Sequence, residues 1–190
     1  MRNIKFRTYV LAIATLMSVV IYFWSQTSKP ITTQLNEVLA KKVPNFNQLL
    51  HVHKDNEKTL AFYTTTTTQG VYVASVSKRF YRYSAIEHVG FVVPYPDSGI
   101  AWSGIVQAQE KIHLLFGIVQ DDEISRITIV SENNKQATVI DAGSEKIWYA
   151  FMEESLHSPV TFTAVNQEGN RVFEYGDLDY WNDLESRDNG

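Results

Sequence analysis

The stretch Ile124-Ser125-Arg126-Ile127-Thr128-Ile129-Val130 puts Ile124, Arg126 and Thr128 on one parity and Ile127 and Ile129 on the other. A period of two marks a strand with one buried face. Asn133-Asn134 supplies a turn, and 136–140 reads as the next strand. Asp141-Ala142-Gly143-Ser144 turns again, leading to runs at 146–152, 159–165 and 171–175. Asn166-Gln167-Glu168-Gly169-Asn170 joins the last two as a hairpin loop. Short strands at about 8–12-residue spacing with such turns predict a small sandwich.

Working toward the N-terminus, runs at 48–53 and 59–66 flank Lys54-Asp55-Asn56-Glu57 and predict a hairpin. Gln69-Gly70 leads into 71–77, and further strands are expected at 80–83, 87–93, 101–107 and 111–119. The five threonines at 64–68 read as exposed strand, because a branched Cβ suits a pleated surface. Pro94-Tyr95-Pro96-Asp97-Ser98-Gly99 is the clearest break in the chain. In 29–42, Ile31, Leu35, Val38 and Leu39 form one apolar stripe, expected to pack a helix on the chain's own sheet. Pro30 fits only its first turn and Pro44 ends it. The body therefore divides into a helix plus antiparallel sheet at 29–96, a sandwich-like β portion at 97–176 and an acidic, frayed tail at 177–190. The fold class is α+β, mainly antiparallel.

The first 28 residues are of another kind. Arg2, Lys5 and Arg7 are followed by a run without charge from Thr8 to Ser28, whose core, 9–24, reads YVLAIATLMSVVIYFW. A spanning helix needs about 20 mostly apolar residues, whereas the apolar part of a signal peptide has about 7–15. The run ends in Ile21, Tyr22, Phe23 and Trp24, which suit an interfacial belt better than a peptidase site. A transmembrane anchor at 8–28 is expected, with a cytoplasmic tail at 1–7 and the body outside, because the basic residues cluster before the span. Setting aside those three basic residues leaves 14 basic against 21 acidic ones beyond the span, a charge of −7. Such a body does not cling to anionic lipid by charge.

Composition narrows the function. Of 190 residues, 44% are hydrophobic and 20% charged, which fits neither a disordered tail nor a polytopic membrane protein. Cysteine is absent, so disulfides, thiolate metal sites and thiol catalysis are excluded. The net charge of −4 argues against a nucleic-acid partner.

Three segments carry a resemblance: Gly117-Ile118-Val119-Gln120-Asp121-Asp122-Glu123-Ile124, Ile147-Trp148-Tyr149-Ala150-Phe151 and Thr163-Ala164-Val165-Asn166-Gln167-Glu168-Gly169-Asn170. With the looser helix-then-hairpin opening at 35–63, the chain resembles small exported or membrane-anchored proteins of unknown function from Bacillus-like Gram-positive bacteria. The resemblance implies a place at the cell envelope. It implies no activity and transfers no functional residue.

Several residue sets could carry chemistry. His51 and His53, two apart on a predicted strand, project from one face and could reach one zinc or copper ion. Asp55 shares their parity beyond the strand end, while His88, His113 and His157 could join only through the fold. Ser75-Val76-Ser77-Lys78 matches the serine-x-x-lysine pattern of penicillin-interacting enzymes, without the Ser-Asp-Asn and Lys-Thr-Gly elements they need. Asp121-Asp122-Glu123 and Asp177, Asp179, Asp183 and Glu185 offer oxygen ligands, but a calcium loop from Asp177 fails at Asn182 and Asp188. Glu153 and Glu154 are neighbours that a strand sends to opposite faces. Arg79-Phe80-Tyr81-Arg82-Tyr83 is the one local basic and aromatic patch. With Trp102 it is the expected contact surface, and Tyr95 and Trp148 add further rings.

The sequence thus predicts a non-catalytic binding or interaction protein of the cell envelope. It binds through Arg79, Phe80, Tyr81, Arg82, Tyr83 and Trp102, holds no cofactor, and has an envelope protein or a glycan as partner. A small envelope hydrolase or metal-dependent enzyme and an accessory subunit of a membrane complex are the alternatives.

Overall fold

The computed structural model describes residues 2–183 other than 28, 56–57, 80–81, 97, 108–111, 132, 153–158 and 182. Two helices come first, α1 (Arg2–Thr27) and α2 (Ile31–Lys42). Twelve strands follow: β1 (Phe46–Lys54), β2 (Thr59–Thr65), β3 (Val71–Arg79), β4 (Arg82–Val92), β5 (Ile100–Gln107), β6 (Ile112–Val119), β7 (Arg126–Val130), β8 (Lys135–Gln136), β9 (Thr138–Asp141), β10 (Lys146–Phe151), β11 (Thr161–Val165) and β12 (Arg171–Tyr175). The fold is α+β and antiparallel at every described strand pair. Among the described residues no helix is long and apolar enough to cross a membrane.

The strands make three four-stranded sheets in the orders β1-β2-β3-β4, β5-β6-β10-β9 and β12-β11-β7-β8. They stack with the β5-containing sheet in the middle. Its one face packs Ala101, Leu114, Phe116, Ile118 and Tyr149 against Leu60, Phe62, Val71 and Val73 of the first sheet. Its other face packs Ile100, Leu115, Trp148 and Ala150 against Ile127, Ile129, Phe162 and Ala164 of the third. A strand covered on both faces loses alternation, and β6 and β10 are accordingly buried almost residue after residue. The middle and third sheets lie within 97–176 and pack face to face. The break at Pro94–Gly99 separates them from the first sheet, yet the middle sheet shares one core with the first sheet and another with the third.

On its outer face the first sheet carries α2, with Leu35, Leu39 and Val43 against Ala61, Tyr63, Ala74, Val76 and Tyr83. Val43 is extended (φ −96°, ψ 118°), as Pro44 requires, and Lys42 bonds the Ser84 carbonyl. Asn45 takes the left-handed conformation (φ 56°), which asparagine tolerates, and swings the chain into β1.

Four expectations are corrected. The run at 136–140 is two strands, because Ala137 turns into the core and hands its N–H to the Ile127 carbonyl at 2.9 Å. The threonine run is strand only to Thr65, and Thr64 is buried rather than displayed. The expected strand at 80–83 is no separate element: β4 runs from Arg82 through Val92, while Phe80 and Tyr81 lie outside the described residues. The start of the tail is docked. Gly176 (φ 94°) turns the chain toward Thr161, and Trp181, 6% exposed, donates Nε1–H to the Pro159 carbonyl at 3.2 Å.

Candidate functional site

A groove of about 390 Å³ lies where the middle and third sheets part, lined by Tyr95, Ser98, Ile100, Trp102, Phe173 and Tyr175. Sheet register explains its floor. Trp102, Gly117 and Trp148 are directly paired across β5, β6 and β10, so all three face the third sheet in one row. Two indoles fit in that row because Gly117 has no side chain. A Cβ there would overlap the Ala101 carbonyl oxygen and stand 2.5 Å from Trp148 Nε1. Trp148 is fully buried, whereas Trp102, at the edge strand, stays partly exposed. Tyr175 meets Trp102 edge-on at 4.9 Å between ring centroids, with Phe162 stacked beneath Tyr175 at 5.3 Å.

The opposite wall is the segment after β4. The Gln120 side chain clamps Tyr95 with a pair of bonds: its Nε2 donates to the Tyr95 carbonyl at 3.0 Å and its Oε1 accepts from the Tyr95 N–H at 3.1 Å. The backbone N–H of Gln120 donates to Gly99 O at 2.9 Å, and Ser98 Oγ donates to Ile100 O at 2.7 Å. The loop is therefore tied at both ends, and Tyr95, 51% exposed, is held up beside the groove. Among the described residues the lining includes no charged side chain. Rings and hydroxyls on a fixed frame suit an uncharged ligand with both apolar faces and hydroxyl groups.

A second cluster lies on the other side of the middle sheet. His51 Nε2 and His53 Nδ1 each stand 3.3 Å from Tyr149 Oη. His53 Nε2 is 3.6 Å from Asp55 Oδ2. Burial, then the neighbouring His53, pushes the His51 pKa down, and burial pushes that of the Tyr149 phenol up against an opposing hydrogen bond from Thr138. Among the described residues no group of three or more histidine, cysteine, aspartate or glutamate side chains could hold a metal ion.

Of the predicted contact patch, only the Tyr83 and Trp102 side chains lie among the described residues. Tyr83 is 6% exposed and packs under α2, because its parity on β4 faces the helix, while the ammonium of Lys78 sits 5.7 Å from its ring centroid. The side chains of Arg79 and Arg82 and the whole of Phe80 and Tyr81 lie outside the described residues. Among the described residues of the patch, Trp102 lines the groove. Ser75 and Lys78 lie on β3, where the penicillin-enzyme pattern would need a helix start. Asp121 caps its own turn, its Oδ1 accepting from the Glu123 N–H at 2.9 Å, and Asp177 Oδ1 accepts from the Tyr180 N–H at 3.0 Å. Glu153, Glu154 and His157 lie outside the described residues, and His88 Nδ1 is paired with Tyr63 Oη at 2.6 Å.

Sequence reasoning missed Phe173, Tyr175, Ser98, Gln120 and Tyr149. The parity of 173 and 175 was the available signal for the first two. Comparison with protein-family models, with curated proteins and with solved structures gives no match to this chain.

Proposed function

We propose that this is a membrane-anchored binding protein of the cell envelope, non-catalytic, whose body lies outside the cytoplasm and holds a neutral glycan segment in the Tyr95–Trp102–Tyr175 groove. The single observation that carries the binding reading is the row Trp102-Gly117-Trp148, which builds a fixed aromatic floor and leaves one indole at the surface. Sugar rings stack their C–H faces on such rings and spend their hydroxyls on Ser98, Tyr95 and Tyr175. A net negative body does not favour polyanions, and the described lining residues, which are uncharged, agree with that.

What supports the anchor is the uncharged run at 8–28 behind Arg2, Lys5 and Arg7. Leu11, Ile13, Leu16, Met17, Val19, Val20, Ile21, Tyr22 and Trp24 are all exposed, spread around α1 rather than along one stripe. Thr15 Oγ1 and Ser18 Oγ bond the carbonyls four residues back, at 2.9 Å each, so these hydroxyls need no water.

The experiment is made on the full chain in detergent micelles, titrated with soluble wall-glycan fragments and followed by tryptophan fluorescence. Saturable binding is expected. Trp102→Ala should weaken it about 30-fold, as loss of a central aromatic contact worth about 2 kcal/mol does. Gln120→Ala should cost about fivefold, through one lost hydrogen-bonded support. Absence of glycan binding, or binding indifferent to Trp102→Ala, defeats the ligand reading. For the anchor, the chain has no cysteine, so a single cysteine introduced at exposed Glu168 is a unique label. Failure of a membrane-impermeant thiol reagent to reach it on intact protoplasts defeats the topology.

A further inference from the structure

We propose that His51, His53 and Tyr149 form a mononuclear site for a divalent transition-metal ion, Cu²⁺ or Zn²⁺, at the seam between the first and middle sheets. This does not depend on the glycan reading, because Tyr149 and Trp102 are on opposite faces of the middle sheet.

The two imidazoles come from one strand and the phenol from another sheet. His51 and His53 have the same parity on β1, opposite Phe62 and Leu60 of β2. Tyr149 reaches them from β10, where it is paired with Phe116 and Thr138. His51 Nε2 and His53 Nδ1 thus converge on one oxygen, each at 3.3 Å. These are poor distances for hydrogen bonds from a phenol. The same molecule makes an ordinary one between Tyr63 Oη and His88 Nδ1 at 2.6 Å. They are good distances between ligands of one ion. Metal–nitrogen and metal–oxygen bonds of about 2.0–2.1 Å at tetrahedral angles place neighbouring donor atoms about 3.3–3.4 Å apart.

The surroundings agree with the donors. In that arrangement His53 gives Nδ1 to the metal, and its Nε2–H faces Asp55 Oδ2 at 3.6 Å. A carboxylate behind a ligating imidazole is the usual orienting partner. Phe62 lies 5.1 Å from the Tyr149 ring and Phe151 4.5 Å from the His53 ring, centroid to centroid, so one side of the site is dry. The His53 side chain keeps 24% of its surface, which leaves a way in and a position open to water or a further ligand. Two imidazole nitrogens and an oxygen suit the upper end of the divalent affinity order, where Cu²⁺ and Zn²⁺ lie. Three donors from side chains also match the protein share of an open, rather than closed, zinc site.

The test uses the full chain in detergent, stripped with chelator and titrated with Cu²⁺. One ion per chain is expected. Its electron paramagnetic resonance spectrum should carry hyperfine coupling to two nitrogens, and its visible spectrum a phenolate-to-copper charge-transfer band. The band should vanish in Tyr149→Phe, and Cu²⁺ should displace Zn²⁺ from the zinc-loaded protein. His51→Asn and His53→Asn should each weaken binding by more than about 100-fold, beyond the 10–100-fold typical of losing a supporting partner. No stoichiometric ion, a spectrum without two nitrogens, or affinity unchanged in His51→Asn overturns the proposal. The spectra of the unaltered protein decide the matter even where a variant fails to fold.

Discussion

Two neighbouring rows of the middle sheet face opposite ways and end differently. The row Trp102-Gly117-Trp148-Val139 looks toward the third sheet. The row Ser103-Phe116-Tyr149-Thr138 looks toward the first. In the first row a missing side chain is filled by an indole from the next strand, and the second indole is left to wall an open groove. In the second, Phe116 fills the middle position and the ring beside it ends in a hydroxyl that meets two histidines from the covering sheet. The difference teaches that alternation assigns a residue to a face, while the residue directly across the ladder decides whether that face closes or opens.

The sharpest way to break the comparison is to remove what plugs the third-sheet side. Phe162 is fully buried, with its ring centroid within 6.0 Å of those of Trp102, Trp148, Phe173 and Tyr175. Phe162→Ala should cost about 3–5 kcal/mol by lost burial and a residual cavity, read from chemical denaturation. A midpoint close to that of the parent would mean that the groove floor does not rest on this core. Next, Gly117→Ala puts a methyl where the Ala101 carbonyl and Trp148 already stand. An overpacking cost of about 1–3 kcal/mol is expected, with altered tryptophan fluorescence. An unchanged spectrum and midpoint would show that the row tolerates the methyl group and is not set by the glycine.

The smallest effect sharpens the contrast between the tyrosines. Tyr63 lies on the α2 side of the first sheet, and burial, with nearby Tyr72, pushes its pKa up to about 12 from 10.0. Its folded pKa is above its unfolded one, so its share of stability is fully present below pH 10 and is lost as pH rises toward 12. Tyr63→Phe should flatten the fall in denaturation midpoint over that interval. An identical alkaline slope in the variant would remove Tyr63 as its source.

Much of the frame was legible in the sequence. Alternation at 124–130, where the strand itself starts at Arg126, and the turns at 133–134, 141–144 and 166–170 placed these strands, because turn residues and period two are local properties. The stripe Leu35–Leu39 announced a helix that covers a sheet, and it does. Same-face projection of His51 and His53 was also legible, since parity survives the register shift before His51. Their shared partner was not, because Ile147-Trp148-Tyr149-Ala150-Phe151 reads as uniformly apolar and hides which rings face which sheet. Tyr83 stood in a patch that looked exposed, and Leu35 and Leu39 of a helix earlier in the chain, 48 and 44 residues before it, bury it. Gln120 resembled any polar residue after a strand, and its role exists only because Tyr95 comes within reach.

The chain by itself determined an uncharged N-terminal run, a helix with one apolar stripe, a succession of antiparallel strands and a body of negative charge. These follow from side-chain chemistry and spacing along the chain. Only the stacking of three sheets decided that Trp102 meets Tyr175 and that Tyr149 meets two histidines. Those pairs lie 73 and about 97 residues apart, and contacts at such separations depend on which sheet covers which face, a choice local periodicity does not record.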